Sequence, residues 1–510
     1  MLRALKKQII MSLKNLSVTF LIVMLFSLVT SAAKKEKTSV AKKYQFEFTI
    51  SDSDDSLVFL ANYYGKKQYY YDTAFAVEKG KFKFETDSIP GGIYLIVMPD
   101  KSQYFEIVVS GTEPSVVLST TRANMVGDMK VSVSEENKLF YEFQQEMSKK
   151  GEQAAPIQKK IQALKADTVN PKVDEIKAEQ EKLEAVNKEV NEFKKQFINT
   201  HKGTFTAKLF LTSQEPDVPE NPELPEGTNL DLWKFQEYKR QYLENVDFTD
   251  ERLLRSPVFA KKLEYYMTKL VIQMPDSITK AADELVARTR PNKEMFKYVV
   301  HWNTNHFERS KIMGMDGVFV HMSDNYYTKE QAHWVDSAGL AKINDRAATL
   351  RPLLLGKVAS NIILPDTTGK WHDLHKLPAE YTILYFWSPT CGHCKKSTPK
   401  LESFYKDYKS KGIEVFGVCT ELETDGMKTF VKTHKLTFIN VSDTPEINKN
   451  AYDYLDKTTV NSLNFRTIYD IYSTPQVYVL DKNKKIIAKK LGVEQLADFI
   501  DNYSKDKGSN

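Results

Sequence analysis

Three cysteines in 510 residues are too few to staple a scaffold, which excludes the disulfide-dense secreted class and any zinc site built from four thiolates. The excess of one charge sign over the other is small too. The formal net charge is +5, and residues 1 to 33 alone hold Arg3, Lys6, Lys7 and Lys14 with no acid, leaving +1 for the remainder. Bulk charge therefore gives no case for nucleic acid as a partner. No second apolar run of membrane-spanning length follows the first thirty residues. What is present is core material: 41% hydrophobic residues, with 28 Phe and 26 Tyr, is enough for a globular protein of several domains.

The amino terminus has the three-part layout of a secretory signal. Basic residues up to Lys14 precede an apolar stretch from Val18 to Val29, and Thr30-Ser31-Ala32-Ala33 follow. That stretch is well short of the ~20 residues that span a bilayer. Cleavage near Ala33 and residence in the periplasm are expected, the alternative being an uncleaved membrane anchor.

From Tyr44 the apolar residues recur with period two, as in Tyr44, Phe46, Phe48 and Ile50, and turn-like clusters such as Pro90-Gly91-Gly92 separate the runs. Residues 34–133 are predicted to hold an antiparallel β domain, in which Tyr63, Tyr64, Tyr69, Tyr70 and Tyr71 are read as sheet packing, the alternative being a binding surface. From Glu135 the period becomes helical. Ile176, Leu183, Val190 and Phe197 mark a long amphipathic helix between Val173 and His201, interrupted in its second row by Glu179, and an intramolecular helical hairpin is expected. After a Pro-rich break at 215–222 more helix follows, completing a helical domain over 134–350. His301, His306, His321 and His333 lie in it, but none forms an i, i+4 pair with another. They are read as structural or surface residues, and no metal site is expected.

After Arg351-Pro352 strands and helices alternate, implying a βαβ sheet in an α/β domain over 351–510. A strand from Tyr381 to Trp387 leads into Pro389-Thr390-Cys391-Gly392-His393-Cys394 and then a helical run, Lys395 to Tyr408. Two intervening residues at a helix N-terminus let the two sulfurs come within disulfide distance, while the first lies beside the unpaired amides and the positive end of the dipole. His393, Lys395 and Lys396 are expected to add cationic character and lower the pKa of Cys391 further. The roles follow. Cys391 attacks a substrate disulfide, Cys394 resolves the mixed disulfide, and the two form the redox-active disulfide.

Residues 356 to about 505 resemble a thioredoxin-like domain of the bacterial envelope type, within the group that includes alkyl hydroperoxide reductase and thiol-specific antioxidant proteins. The resemblance is carried by Phe386-Trp387-Ser388-Pro389-Thr390-Cys391-Gly392-His393-Cys394-Lys395-Lys396, by Pro399, and by Ser473-Thr474-Pro475 before the strand Gln476 to Leu480. It implies a cis proline at Pro475 facing the dithiol, with the Thr474 backbone offered to a bound peptide. Val358 to Asp366 with Gly369-Lys370 is similar to the extra hairpin of the envelope and peroxidase branches. The upstream regions resemble domains of unknown function that precede such modules in some Gram-negative envelope proteins. Two positions depart from thioredoxins proper: Tyr385 stands where they have a buried acidic proton acceptor, and Thr390 where they have tryptophan. Gly392-His393 resembles the inter-cysteine pair of protein disulfide isomerases, which implies a couple more oxidising than that of thioredoxin.

The expected function is thiol-disulfide oxidoreduction with no cofactor, acting on protein thiols and disulfides of the envelope and served by an upstream electron-transfer partner. A thiol peroxidase would need a Thr-x-x-Cys context with a partner arginine, which Thr390 and His393 do not supply. The remaining alternative is a non-catalytic envelope binding protein. Cys419, ending an apolar strand, is read as a buried packing residue, the alternative being a third redox thiol.

Overall fold

The structure is a computed structural model that describes residues 43–166 and 172–508; the expected export signal, residues 1–33, lies outside them. No described helix is long and apolar enough to cross a membrane. The described residues form two compact units, one holding 43–60, 71–90 and 95–156, the other holding 61–70, 91–94, 157–166 and 172–508.

Eight strands, β1 (Tyr44–Ile50), β2 (Leu57–Tyr64), β3 (Lys67–Glu78), β4 (Lys81–Thr86), β5 (Gly92–Val97), β6 (Tyr104–Val109), β7 (Ser115–Thr120) and β8 (Lys130–Val133), form a sheet in the order β6-β5-β2-β3-β4-β1-β7-β8. Alternation explains β1, whose Phe46, Phe48 and Ile50 are buried while Glu47 is exposed. The Phe48 ring packs edge-on against Phe84 at 5.9 Å and Phe105 at 5.7 Å. The expectation of an antiparallel domain is corrected in one pairing: β1 runs antiparallel to β4 but parallel to β7, with Phe46 opposite Val116. A long excursion between β1 and β7 leaves room for the crossover that parallel pairing requires. Tyr63 is buried as expected of sheet packing, whereas Tyr69, Tyr70 and Tyr71 in β3 are exposed.

Helices α1 (Glu135–Ala166) and α2 (Val173–Thr200) follow. Glu179 on α2 is buried, and its carboxylate accepts hydrogen bonds at 2.8 Å from both Lys160 of α1 and Lys182. The break in the apolar row is thus a contact of the helical hairpin. The central helices are α3 (Phe205–Ser213), α4 (Leu230–Gln241), α5 (Pro257–Tyr265), α6 (Pro275–Thr289), α7 (Lys293–Glu308), α8 (Asp316–Tyr326) and α9 (Ser337–Leu350). His321 on α8 bonds Asp283 of α6 at 2.8 Å, and His333 is exposed.

The carboxy-terminal part holds a short hairpin, β9 (Ile363–Pro365) with β10 (Trp371–Asp373), and a five-stranded sheet. Its strands are β11 (Tyr381–Trp387), β12 (Ile413–Cys419), β13 (Ile439–Val441), β14 (Gln476–Asp481) and β15 (Ile486–Lys489), in the order β13-β12-β11-β14-β15. The central strand β11 is buried on both faces. Ile383, Tyr385 and Trp387 join Leu401 and Phe404 of α10 (Gly392–Tyr408) in one core, while Leu384 and Phe386 join Phe465 and Tyr469 in the other. A strand covered on both sides has no polar face, which is why it reads as a continuous apolar run. The pairing also positions the site. β11 is parallel to β12 with Trp387 opposite Cys419, and antiparallel to β14 with Phe386 opposite Gln476, so the chain leaving β11 meets the loop that enters β14.

Candidate functional site

Helix α10 begins at Gly392, three residues earlier than its apolar periodicity suggests, with Cys391 as its N-cap. This places the first cysteine at the helix mouth and the second inside the first turn. Cys391 is half-buried and Cys394 fully buried, and both are free thiols. The Thr474–Pro475 peptide bond is cis, and the Cys391 thiol donates to the Thr474 carbonyl at 3.2 Å.

The two sulfurs differ electrostatically. Burial opposes the thiolate of Cys391, but hydrogen bonding from the Thr474 side chain, from the Cys394 amide and thiol and from the His393 amide outweighs it and holds its pKa below the ordinary thiol value. Burial dominates at Cys394 and, with Cys391 as a neighbour, pushes it up to about 11. The cause at Cys391 differs from the sequence expectation. His393, Lys395 and Lys396 are all exposed, so water screens their charges, and the principal lowering comes from backbone and side-chain hydrogen bonds. Thiolate absorbance at about 240 nm, titrated against pH, should therefore give a Cys391 midpoint below the ~8.5 of a free cysteine. His393→Ala should shift that midpoint by less than about half a unit, since its amide remains in place.

Trp387 is fully buried, its ring 5.1 Å from Phe430, so it supports the loop from below and does not face a substrate. Tyr385, at the position where thioredoxins proper have an acid, is also fully buried. Its hydroxyl lies 3.0 Å from Ser397 Oγ and 2.8 Å from Thr398 Oγ1, and burial raises its pKa, so it stays a phenol and takes no proton from Cys394. Cys419 is buried in the same core and its thiol is pushed up to about 12, which fits packing rather than exchange.

Two features were not singled out in the sequence. The Glu421 carboxylate accepts hydrogen bonds from the hydroxyls of Ser388 and Thr390, and Ser388 Oγ in turn accepts from the Thr390 amide at 3.1 Å. Burial raises the Glu421 pKa less than these donors lower it, so the carboxylate is charged and fastens the segment ahead of Cys391. Parallel pairing of β11 with β12 was the available signal, since it carries residue 421 towards residue 388. The second feature is Tyr472, 83% exposed two residues before Thr474, with the Arg346 guanidinium 5.6 Å from its ring centre and paired with Asp470 at 2.5 Å. An exposed aromatic beside the Thr474–Pro475 loop is suited in chemistry to an apolar side chain of a bound peptide.

The AhpC/TSA family matches residues 355–489. Among curated relatives, the thiol-disulfide oxidoreductase ResA of Bacillus cereus is 28% identical over 149 residues, 29% of this chain and 76% of the relative. ResA of Bacillus subtilis is 35% identical over 98 residues, 19% of this chain and 55% of the relative. Among solved structures, a domain of a possible thiol-disulfide isomerase from Cytophaga hutchinsonii is 40% identical, covering 31% of this chain and 99% of that one with a TM-score of 0.26. The carboxy-terminal domain is thus a thioredoxin-like oxidoreductase domain of the AhpC/TSA kind. The family match does not reach residues before 355.

Proposed function

We propose that the chain is an exported thiol-disulfide oxidoreductase that exchanges disulfides with envelope proteins through Cys391 and Cys394. The observation that carries this reading is the asymmetry of the pair: a half-buried Cys391 with a lowered pKa beside a fully buried Cys394 with a raised one. In the reducing direction, the Cys391 thiolate attacks one sulfur of a substrate disulfide, forming a mixed disulfide and releasing a substrate thiolate that takes up a proton. Cys394 then loses its proton and attacks Cys391 Sγ, forming the intramolecular disulfide and releasing the second substrate sulfur. Two electrons pass to the substrate, and a dithiol partner must return them. Oxidation of a substrate dithiol is the same sequence reversed.

The Thr474 backbone, turned towards Cys391, supplies an acceptor and a donor that can hold an extended peptide beside the reacting sulfur. Export rests on the basic, apolar and small-residue succession of residues 1–33. With dithiothreitol as electron donor the protein should reduce insulin disulfides, and Cys391→Ser should lose that activity about 100-fold or more. Equal activity in the variant, or consumption of hydrogen peroxide at a comparable rate, would overturn the reading. Mass spectrometry of protein purified from its host should find residues 1–33 removed.

A further inference from the structure

Residues 61–70, helix α7 and residues 309–312 line an open cleft of about 780 Å³ that belongs neither to the dithiol nor to the loop around Pro475. Its walls are fixed in place. Gly65 takes a positive φ of 62°, and a side chain there would collide with the Tyr298 ring, so the turn lies directly on α7. Tyr298 meets Tyr64 edge-on at 5.7 Å, Lys66 is paired with Glu264, and the Gly65 amide donates to the Leu254 carbonyl at 2.8 Å.

The lining combines ring surface with positive charge. Tyr64, Tyr298 and Trp302 contribute aromatic wall, and His306 stacks on Trp302 at 4.6 Å with an interplanar angle of 11°. Five cations and no carboxylate line the space. Glu264 and Glu294 neutralise Lys66 and Lys297 from outside it, whereas Lys67, Arg309 and Lys311 have no carboxylate partner among the described residues. Three unpaired cations around one aromatic-walled space repel each other, and an anion entering it relieves that repulsion while its ring is withdrawn from water. Desolvation and neighbouring cations lower the pKa of half-buried His306 and of the more exposed His301, so both rings favour the neutral form and add hydrogen-bonding and stacking surface.

We propose that this cleft binds a small organic anion carrying a planar ring, with the ring against Trp302 and Tyr64 and the carboxylate or phosphate met by Lys67, Arg309 and Lys311. The site is independent of the redox reading, since neither the cysteines nor Thr474 line it. An acidic macromolecule would use the rim cations without needing the rings, and a neutral apolar ligand would use the rings without the cations.

Isothermal titration calorimetry of the full chain with three probes tests this: 2-naphthoate, which has ring and charge, 2-naphthylmethanol, which has the ring alone, and inorganic phosphate, which has charge alone. The naphthoate should bind at least about ten-fold more tightly than either of the others. Arg309→Glu with Lys311→Glu, both on exposed positions, should weaken naphthoate about ten-fold or more at an unchanged melting temperature. Trp302→Leu should weaken naphthoate and naphthylmethanol together. Equal affinity for the neutral alcohol, undiminished naphthoate binding after the double charge reversal, or no binding of naphthoate at all would each overturn the assignment.

Discussion

A Cys394→Ser chain should accumulate in its host as dithiothreitol-sensitive, high-mass adducts, and a Cys391→Ser chain should form none. Cys391 has the exposure and the lowered pKa to attack a substrate disulfide unaided. Without Cys394 the mixed disulfide has no internal route of release. The reverse variant fails twice over. Cys394 is fully buried, and with a pKa of about 11 only about one part in ten thousand is thiolate at pH 7. Non-reducing electrophoresis followed by mass spectrometry of the bands reads the outcome and identifies the partners. Comparable trapping by both variants would end the assignment of roles.

The same asymmetry gives a pH dependence with a definite sign. Attack by Cys391 needs only a group that is already depressed, so it saturates at lower pH, whereas resolution by Cys394 continues to accelerate as pH rises towards its raised pKa. One contribution to that raised value is the neighbouring Cys391, which is no longer a thiol once the mixed disulfide has formed. Resolution therefore titrates below the value for the reduced pair.

What was legible in the sequence divides along one line. The dithiol at a strand-to-helix junction and the proline before β14 are local patterns, and residues 381–387 carry the apolar run that a strand covered on both faces must have. Features that depend on long-range pairing were not legible. Glu421 reaches Ser388 and Thr390 only through the register that sets Trp387 opposite Cys419. The parallel match of β1 with β7 joins segments about seventy residues apart, and no periodicity announces it. Tyr385 was visible as a missing carboxylate, but its pairing with Ser397 and Thr398 needed the helix phase, which the apolar pattern alone started three residues late. The spacing of His301 and His306 offers no metal pattern, yet the cleft they line has its other wall in residues more than two hundred positions earlier.

Asp316→Ala should cost about 3 to 5 kcal/mol of stability, more than the loss of any surface ion pair in the chain. Asp316 at the start of α8 and Lys489 at the end of β15 are 8% and 3% exposed, and the ammonium donates to the Asp316 carboxylate and, at 2.5 Å, to the Leu353 carbonyl. Removing the carboxylate leaves a buried ammonium with one neutral acceptor. Burial already lowers the Lys489 pKa, against the raising influence of Asp316, and without Asp316 it falls further. A depressed folded-state pKa means that the unfolded chain binds more protons between the two values, so the stability of the variant should rise with pH across that window, towards about 10.4. The penalty is then largest at neutral pH and shrinks under alkaline conditions, as denaturant unfolding at about pH 7 and about pH 10 would show. Asp316→Leu combined with Lys489→Met removes both charges and should recover most of the loss at neutral pH, because a well-packed apolar pair avoids the desolvation that the ion pair must offset. If the single and double variants are equally unstable and neither responds to pH, the cost lies in packing at that junction rather than in the orphaned charge.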